Sequence, residues 1–212
     1  MNYEKLIELT ADRGWFDFAT LVQITDEQRH SLQVQLHRWL KSGKLLSLRR
    51  GMYALPERFR KRPLDPMELA NRIYAPSYLS THWVLGYYGM IPEQVHRYTS
   101  VTRRKPARFE NEFGTFDYRN LKAEAFFGYQ TISSKRGSAL VAEPEKALLD
   151  LWHLESGNWH RARMEAMRFQ GFDNVDAKRL EDYASRFASP RIEAAVETWL
   201  ALREEQQEGL EL

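Results

Sequence analysis

The sequence predicts an α+β protein in two parts: an N-terminal winged helix-turn-helix domain over residues 1–60, and a mixed domain over 61–212 with a small antiparallel sheet and C-terminal helices. Three observations carry this. Apolar residues recur at helical spacing as far as Lys41, alternating apolar residues flank an Arg-Arg-Gly turn at 49–51, and closely spaced β-prone pieces between 97 and 142 give way to helical periodicity.

Leu6, Ile7 and Leu9, broken at Arg13-Gly14, suggest a first short helix. Asp17 can cap a second, in which Phe18, Leu21 and Val22 recur at helical spacing. A third follows in TDEQRHSLQVQLHRWLKSGK, where Thr25 and Gln28 stand in capping-box positions and Gly43 suits the left-handed position after the last turn. Its apolar stripe is Leu32, Leu36, Trp39 and Leu40, so one face packs inward. Leu46 and Leu48, then Tyr53 and Leu55, alternate with their neighbours around Arg49-Arg50-Gly51, the pattern of a hairpin turned by glycine. PERFRKRPLDP, with three prolines and four basic residues, reads as a solvated linker and places a boundary near residue 60.

Past the linker, Pro66 opens a helix, and Ser80 is expected to cap a short apolar helix ended by Gly89. RYTSVT, GTFDYRNL, FFGYQTI and SALVA read as strands of a small antiparallel sheet. AEPEKALLDLWHL reads as a helix with Pro144 in its first turn and Leu148, Leu149, Leu151 and Trp152 inward. Beyond Trp159 helical segments are expected near 158–169, 176–187 and 190–206.

Composition bounds the class. The 212 residues, 43% hydrophobic and 28% charged, suit soluble domains with a packed core. There is no cysteine, which excludes disulfides and thiolate metal sites and points to a reducing compartment, by default the cytoplasm. The charged start MNYEKLIELTADRG is not a signal peptide, and no stretch reaches membrane-spanning length, so no membrane association is expected.

The net charge of +2 conceals an asymmetry. Residues 28–62 hold ten basic side chains against one acidic one, Glu57. Such a patch attracts a polyanion through Coulomb attraction and counterion release. The third helix carries His30, His37 and Lys41 on its outer face, with Gln33 and Arg38 on the flanks and Gln28 and Arg29 at its start. These side chains can hydrogen-bond base edges and phosphates in a major groove. In a winged helix the hairpin lies beside the recognition helix, and Arg49 and Arg50 would be its phosphate or minor-groove contacts. The candidate DNA-binding residues are therefore Gln28, Arg29, His30, Gln33, His37, Arg38, Lys41, Arg49 and Arg50. Val34, apolar on the same face, can touch a thymine methyl or pack on a neighbouring element.

RRGMYAL after this helix, YLS at 78–80, YYG at 87–89 before IPEQV, TSVT at 99–102, GTFDY at 114–118, FFGY at 126–129 and AEPEKALLDLWHL at 142–154 resemble the AbiEi antitoxin family of type IV toxin-antitoxin systems, linked to abortive phage infection. The similarity runs from about residue 15 to 155. It implies a winged helix that represses its own operon by binding operator repeats of double-stranded DNA, and a C-terminal domain that opposes a nucleotidyltransferase-like toxin. The chain departs from the family at Trp83, Val84 and Leu85, where small residues followed by Ala-Leu are common.

Enzymatic signals are sparse, and no enzyme activity, cofactor or metal is expected. His30 and His37, and likewise His153 and His160, lie seven apart with no HExxH pattern, and neither a GxxxxGK loop nor a GxSxG elbow occurs. Glu143, Glu145 and Asp150 are accounted for by the helix dipole and by i,i+4 pairing with Lys146. Two further readings stay open: a winged-helix regulator with a ligand-sensing C-terminal domain and no toxin partner, and a nucleic-acid-processing enzyme.

Overall fold

Asn2 accepts the Lys5 N–H and so opens α1 (Tyr3–Thr10). The computed structural model describes residues 1–135 and 137–210. A short strand, β1 (Trp15–Asp17), leads into α2 (Phe18–Gln23), which Asp17 caps by accepting the Thr20 N–H. The third helix, α3 (Arg29–Lys41), ends in a six-to-one and five-to-two pair of bonds, Lys44 N–H to Trp39 and Gly43 N–H to Leu40, with Gly43 at φ 68°. Its start differs from the sequence expectation. Thr25 donates its hydroxyl to Leu21 and closes α2, while Gln28 occupies the N-cap without a side-chain bond. No capping box forms, because the four-residue turn after α2 satisfies Thr25 locally first.

The hairpin is β2 (Leu46–Arg49) and β3 (Met52–Ala54), turned at Gly51 with φ 78°. With β1 it makes a three-stranded antiparallel sheet, β1-β3-β2. This sheet has two dry faces. Leu45, Leu55 and Phe16 close a core with Leu6, Leu21, Leu32 and Leu36, whereas Leu48, Met52 and Ala54 belong to the core of the rest of the chain.

The stretch expected to be a solvated linker is instead tied down at three of its four cations. Arg60 Nε donates to the Leu55 carbonyl at 2.6 Å, Lys61 pairs with Asp12 at 2.7 Å, and Arg62 pairs with the buried Glu68 at 2.9 Å. Leu64 is buried in the larger core. The expected break near residue 60 thus falls between two cores in sequence, but the hairpin bridges them in space.

Then follow α4 (Pro66–Ile73), capped by Asp65, β4 (Ser77–Leu79), α5 (Thr81–Tyr87), β5 (Arg97–Thr102), β6 (Ala107–Asn111), β7 (Gly114–Asn120), β8 (Tyr129–Ser134) and β9 (Gly137–Ala142). The sheet order is β6-β7-β5-β4-β9-β8. It is mixed, not antiparallel as expected: β5 pairs β7 in parallel and β4 pairs β9 in parallel. The cause is two strands that sequence did not reveal. The charged strand β6 returns as a hairpin so that β7 lies beside β5, and the three-residue β4 sits in the middle of the sheet.

Four helices complete the chain, α6 (Pro144–Leu154), α7 (Arg161–Ala166), α8 (Ala177–Ser185) and α9 (Pro190–Leu210). In α6, Leu148, Leu149, Leu151 and Trp152 are all buried, as the periodicity requires. The architecture is α+β. Among the described residues no helix is long and apolar enough to cross a membrane.

Candidate functional site

On α3 the buried stripe of Leu32 and Leu36 forces the opposite face outward, and Gln28, Arg29, His30, Gln33, Val34, His37, Arg38 and Lys41 are all exposed. The hairpin tip stands beside this face because the Phe18 N–H donates to the Gly51 carbonyl at 2.8 Å, tying the turn to the start of α2. One groove results, lined by Arg29, Gln33 and His37 from the helix, Arg50 and Tyr53 from the hairpin, and Phe18 between them. Arg29 lies over the Phe18 ring at 5.0 Å, which holds the guanidinium at the groove while leaving its N–H groups to solvent. Partial burial pushes the Tyr53 phenol above its ordinary value.

Arg49 does not join this set. Its Nε donates to the Ile73 carbonyl at 2.6 Å and its Nη1 to the Arg50 carbonyl at 3.0 Å, on the side of the hairpin that meets the second part of the chain. Leu48 is fastened there as well, its carbonyl accepting from Asn111 Nδ2 at 3.0 Å. Of the pair at the tip, Arg50 alone faces the α3 groove. The local excess of ten cations is reduced in the same way, since Arg49, Arg60, Lys61 and Arg62 are engaged by carbonyls or carboxylates. Arg29, Arg38, Lys41, Lys44, Arg50 and Arg58 remain exposed without an acidic partner among the described residues.

A second cationic element was not singled out by sequence. Arg103, Arg104 and Lys105 form the exposed turn between β5 and β6 and have no carboxylate partner among the described residues. Arg104 Nη1 donates to the Ala75 carbonyl at 3.3 Å, two residues past the Ile73 carbonyl that holds Arg49, so this turn adjoins the hairpin. The run of three basic residues was the available signal; no element was assigned to residues 103–113, which hid its position.

No protein-family model and no curated protein matches the chain.

Two of the motifs that carry the AbiEi resemblance, YLS and AEPEKALLDLWHL, meet at one buried carboxylate. Tyr78 Oη and Ser80 Oγ both donate to Asp150 Oδ2, at 3.0 and 2.7 Å, and Lys146 Nζ donates to Asp150 Oδ1. All four residues are fully buried. The Lys146 ammonium also faces the rings of Tyr78, Phe127 and Phe187 at 5.1–5.6 Å. Burial pushes Lys146 below its ordinary range against the opposing pull of Asp150, and burial next to that carboxylate pushes the Tyr78 phenol well up. The expected helix-capping role of Ser80 is replaced by this bond. Ser80 sits at the N-cap of α5, but its hydroxyl turns to the buried charge, and capping an end that is already packed is worth less than satisfying Asp150. The chain enters α5 through Thr81 at φ 55°, a conformation that β-branched residues seldom hold. Sealed from solvent, the cluster has the character of a structural knot. Among the described residues no group of three or more His, Asp or Glu side chains converges as a metal ion would require.

Proposed function

We propose that the chain is a DNA-binding transcriptional regulator whose first 60 residues work as a winged helix, with α3 as the recognition helix in a major groove and the hairpin tip on the flanking backbone. The observation that carries this is the single groove shared by Arg29, Gln33, His37 and Arg50. It joins bidentate amide and imidazole groups suited to base edges with cations suited to phosphates. Arg38, Lys41 and the turn at Arg103–Lys105 add exposed positive charge.

The AbiEi resemblance adds a partner and a setting: operator repeats of its own operon as the DNA, and antagonism of a nucleotidyltransferase-like toxin by the second part. What supports it is that two of its motifs, YLS and AEPEKALLD, meet at Asp150. Those residues are interior, so a toxin would be met by other, exposed residues.

Fluorescence anisotropy with the labelled region upstream of its own gene, titrated across salt, tests the DNA reading. Growth rescue by the full chain when the neighbouring gene is expressed tests the antitoxin reading separately.

A further inference from the structure

A cavity of about 570 Å³ lies where the three-stranded sheet meets α4 and β8, apart from the α3 groove. Its size is that of pockets that hold small organic ligands, which are often found at domain junctions. Three rings line it, Trp15, Phe126 and Tyr129, along with the charged groups Arg49, Arg72 and Asp17. Asp17 is occupied, its two oxygens accepting the Thr20 N–H and hydroxyl at 2.8 Å each. The donors have capacity left. Arg49 spends Nε and Nη1 on carbonyl oxygens, which leaves Nη2 without a partner among the described residues. Arg72 lies 5.8 Å over the Trp15 ring and approaches Glu68 only through Nε, at 3.9 Å. The Trp15 Nε1 is buried with no hydrogen-bond partner, an N–H that an acceptor would satisfy.

Aromatic walls, an excess of guanidinium over carboxylate and unused donors describe one kind of guest. We propose that this cavity binds a small aryl carboxylate, its ring against Trp15, Phe126 and Tyr129 and its oxygens on the Arg72 and Arg49 guanidinium groups. The site is joined to the hairpin tip, because Arg49 Nη1 holds the Arg50 carbonyl and Arg50 lines the α3 groove. A guest seated on Arg49 Nη2 shifts the same guanidinium that holds the Arg50 carbonyl through Nη1, and so moves Arg50. This regulatory half rests on the DNA-binding reading; the binding half does not.

The test uses the full chain and benzoate, with benzyl alcohol as the ring without the charge and acetate as the charge without the ring. Calorimetry should give saturable benzoate binding at one site, with both control compounds and the Arg72→Gln variant at least about tenfold weaker, the effect of one lost charge-assisted contact. Ser138→Phe, which fills the cavity from β9, should abolish binding, and both variants should melt as the parent does. No saturation by benzoate, or equal binding by both variants and the parent, overturns the site. Saturating benzoate should then change duplex DNA affinity by at least about fivefold. Benzoate binding that leaves DNA affinity unchanged overturns the regulatory half, whereas benzoate binding by a chain that binds no duplex upholds the site and counts against the DNA-binding reading itself.

Discussion

Arg49 and Ile73 are joined by a 2.6 Å bond from guanidinium Nε to carbonyl oxygen, and this bond divides the labour of the two arginines at the hairpin tip. Arg49 fastens the hairpin to the body of the protein, and Arg50, exposed, faces the groove beside α3. A hairpin fixed this way presents its cation at a set distance from α3, and on the proposed DNA-binding reading it would lose little entropy on binding.

The two arginines should therefore separate in experiment. Arg49→Ala leaves the Ile73 carbonyl without its partner and should lower unfolding free energy by about 1–3 kcal/mol in urea titration. Arg50→Ala should change stability by less than about 0.5 kcal/mol while weakening duplex binding across sequences and reducing the salt slope by about 0.9.

On the proposed DNA-binding reading, the side chains of α3 should divide in the same way between base readout and phosphate contact. Gln33→Ala or His37→Ala should flatten discrimination between the preferred duplex and a scrambled one, by about 1–3 kcal/mol for a lost bidentate contact. Arg38→Ala should lower affinity for both duplexes alike. Competition anisotropy on the two DNAs reads the difference.

The cluster at Asp150 is sealed from solvent, so its loss should be read in stability. Asp150→Ala strands the buried Lys146 charge and should cost about 3–5 kcal/mol, whereas Ser80→Ala should cost about 1 kcal/mol. Lys146→Met combined with Asp150→Leu should cost far less than the two single changes summed, since no unpaired charge then remains. Urea unfolding of Lys146→Met, Asp150→Leu and the double variant beside the parent measures the coupling.

His153 gives a pH dependence of definite sign. It is half-buried against the Phe187 ring, 5.3 Å away, and desolvation holds it below its ordinary value of 6.5. Below 6.5 the unfolded chain takes up the proton more readily than the folded one, so this residue lowers stability as pH falls through that region and contributes nothing above it. Melting temperatures between about pH 7.5 and 5.5 should fall less steeply in His153→Gln than in the parent.

Much of this was legible in the sequence where local chemistry decides. Gly43 marks the end of α3 and Asp17 the start of α2, because each acts within four residues. The outer face of α3 followed from its apolar stripe. What escaped depends on distant partners. Nothing near Arg49 announces the Ile73 carbonyl, and nothing near Ser80 announces Asp150, seventy residues away. The parallel pairings of β5 with β7 and β4 with β9 are likewise long-range, and the charged β6 and three-residue β4 carry too little alternation to be seen as strands. Cations counted in sequence as a DNA-facing excess proved to include four that hold the fold together, Arg49, Arg60, Lys61 and Arg62.

The most direct test of the central claim is the affinity of the full chain for the duplex upstream of its own gene, measured across salt. With about five phosphates neutralised, log K should fall against log salt with a slope of about −4 to −5, and the slope should shrink by about 0.9 in Arg50→Ala while staying unchanged in Gln33→Ala. Binding that is absent, or that does not respond to salt, contradicts the account.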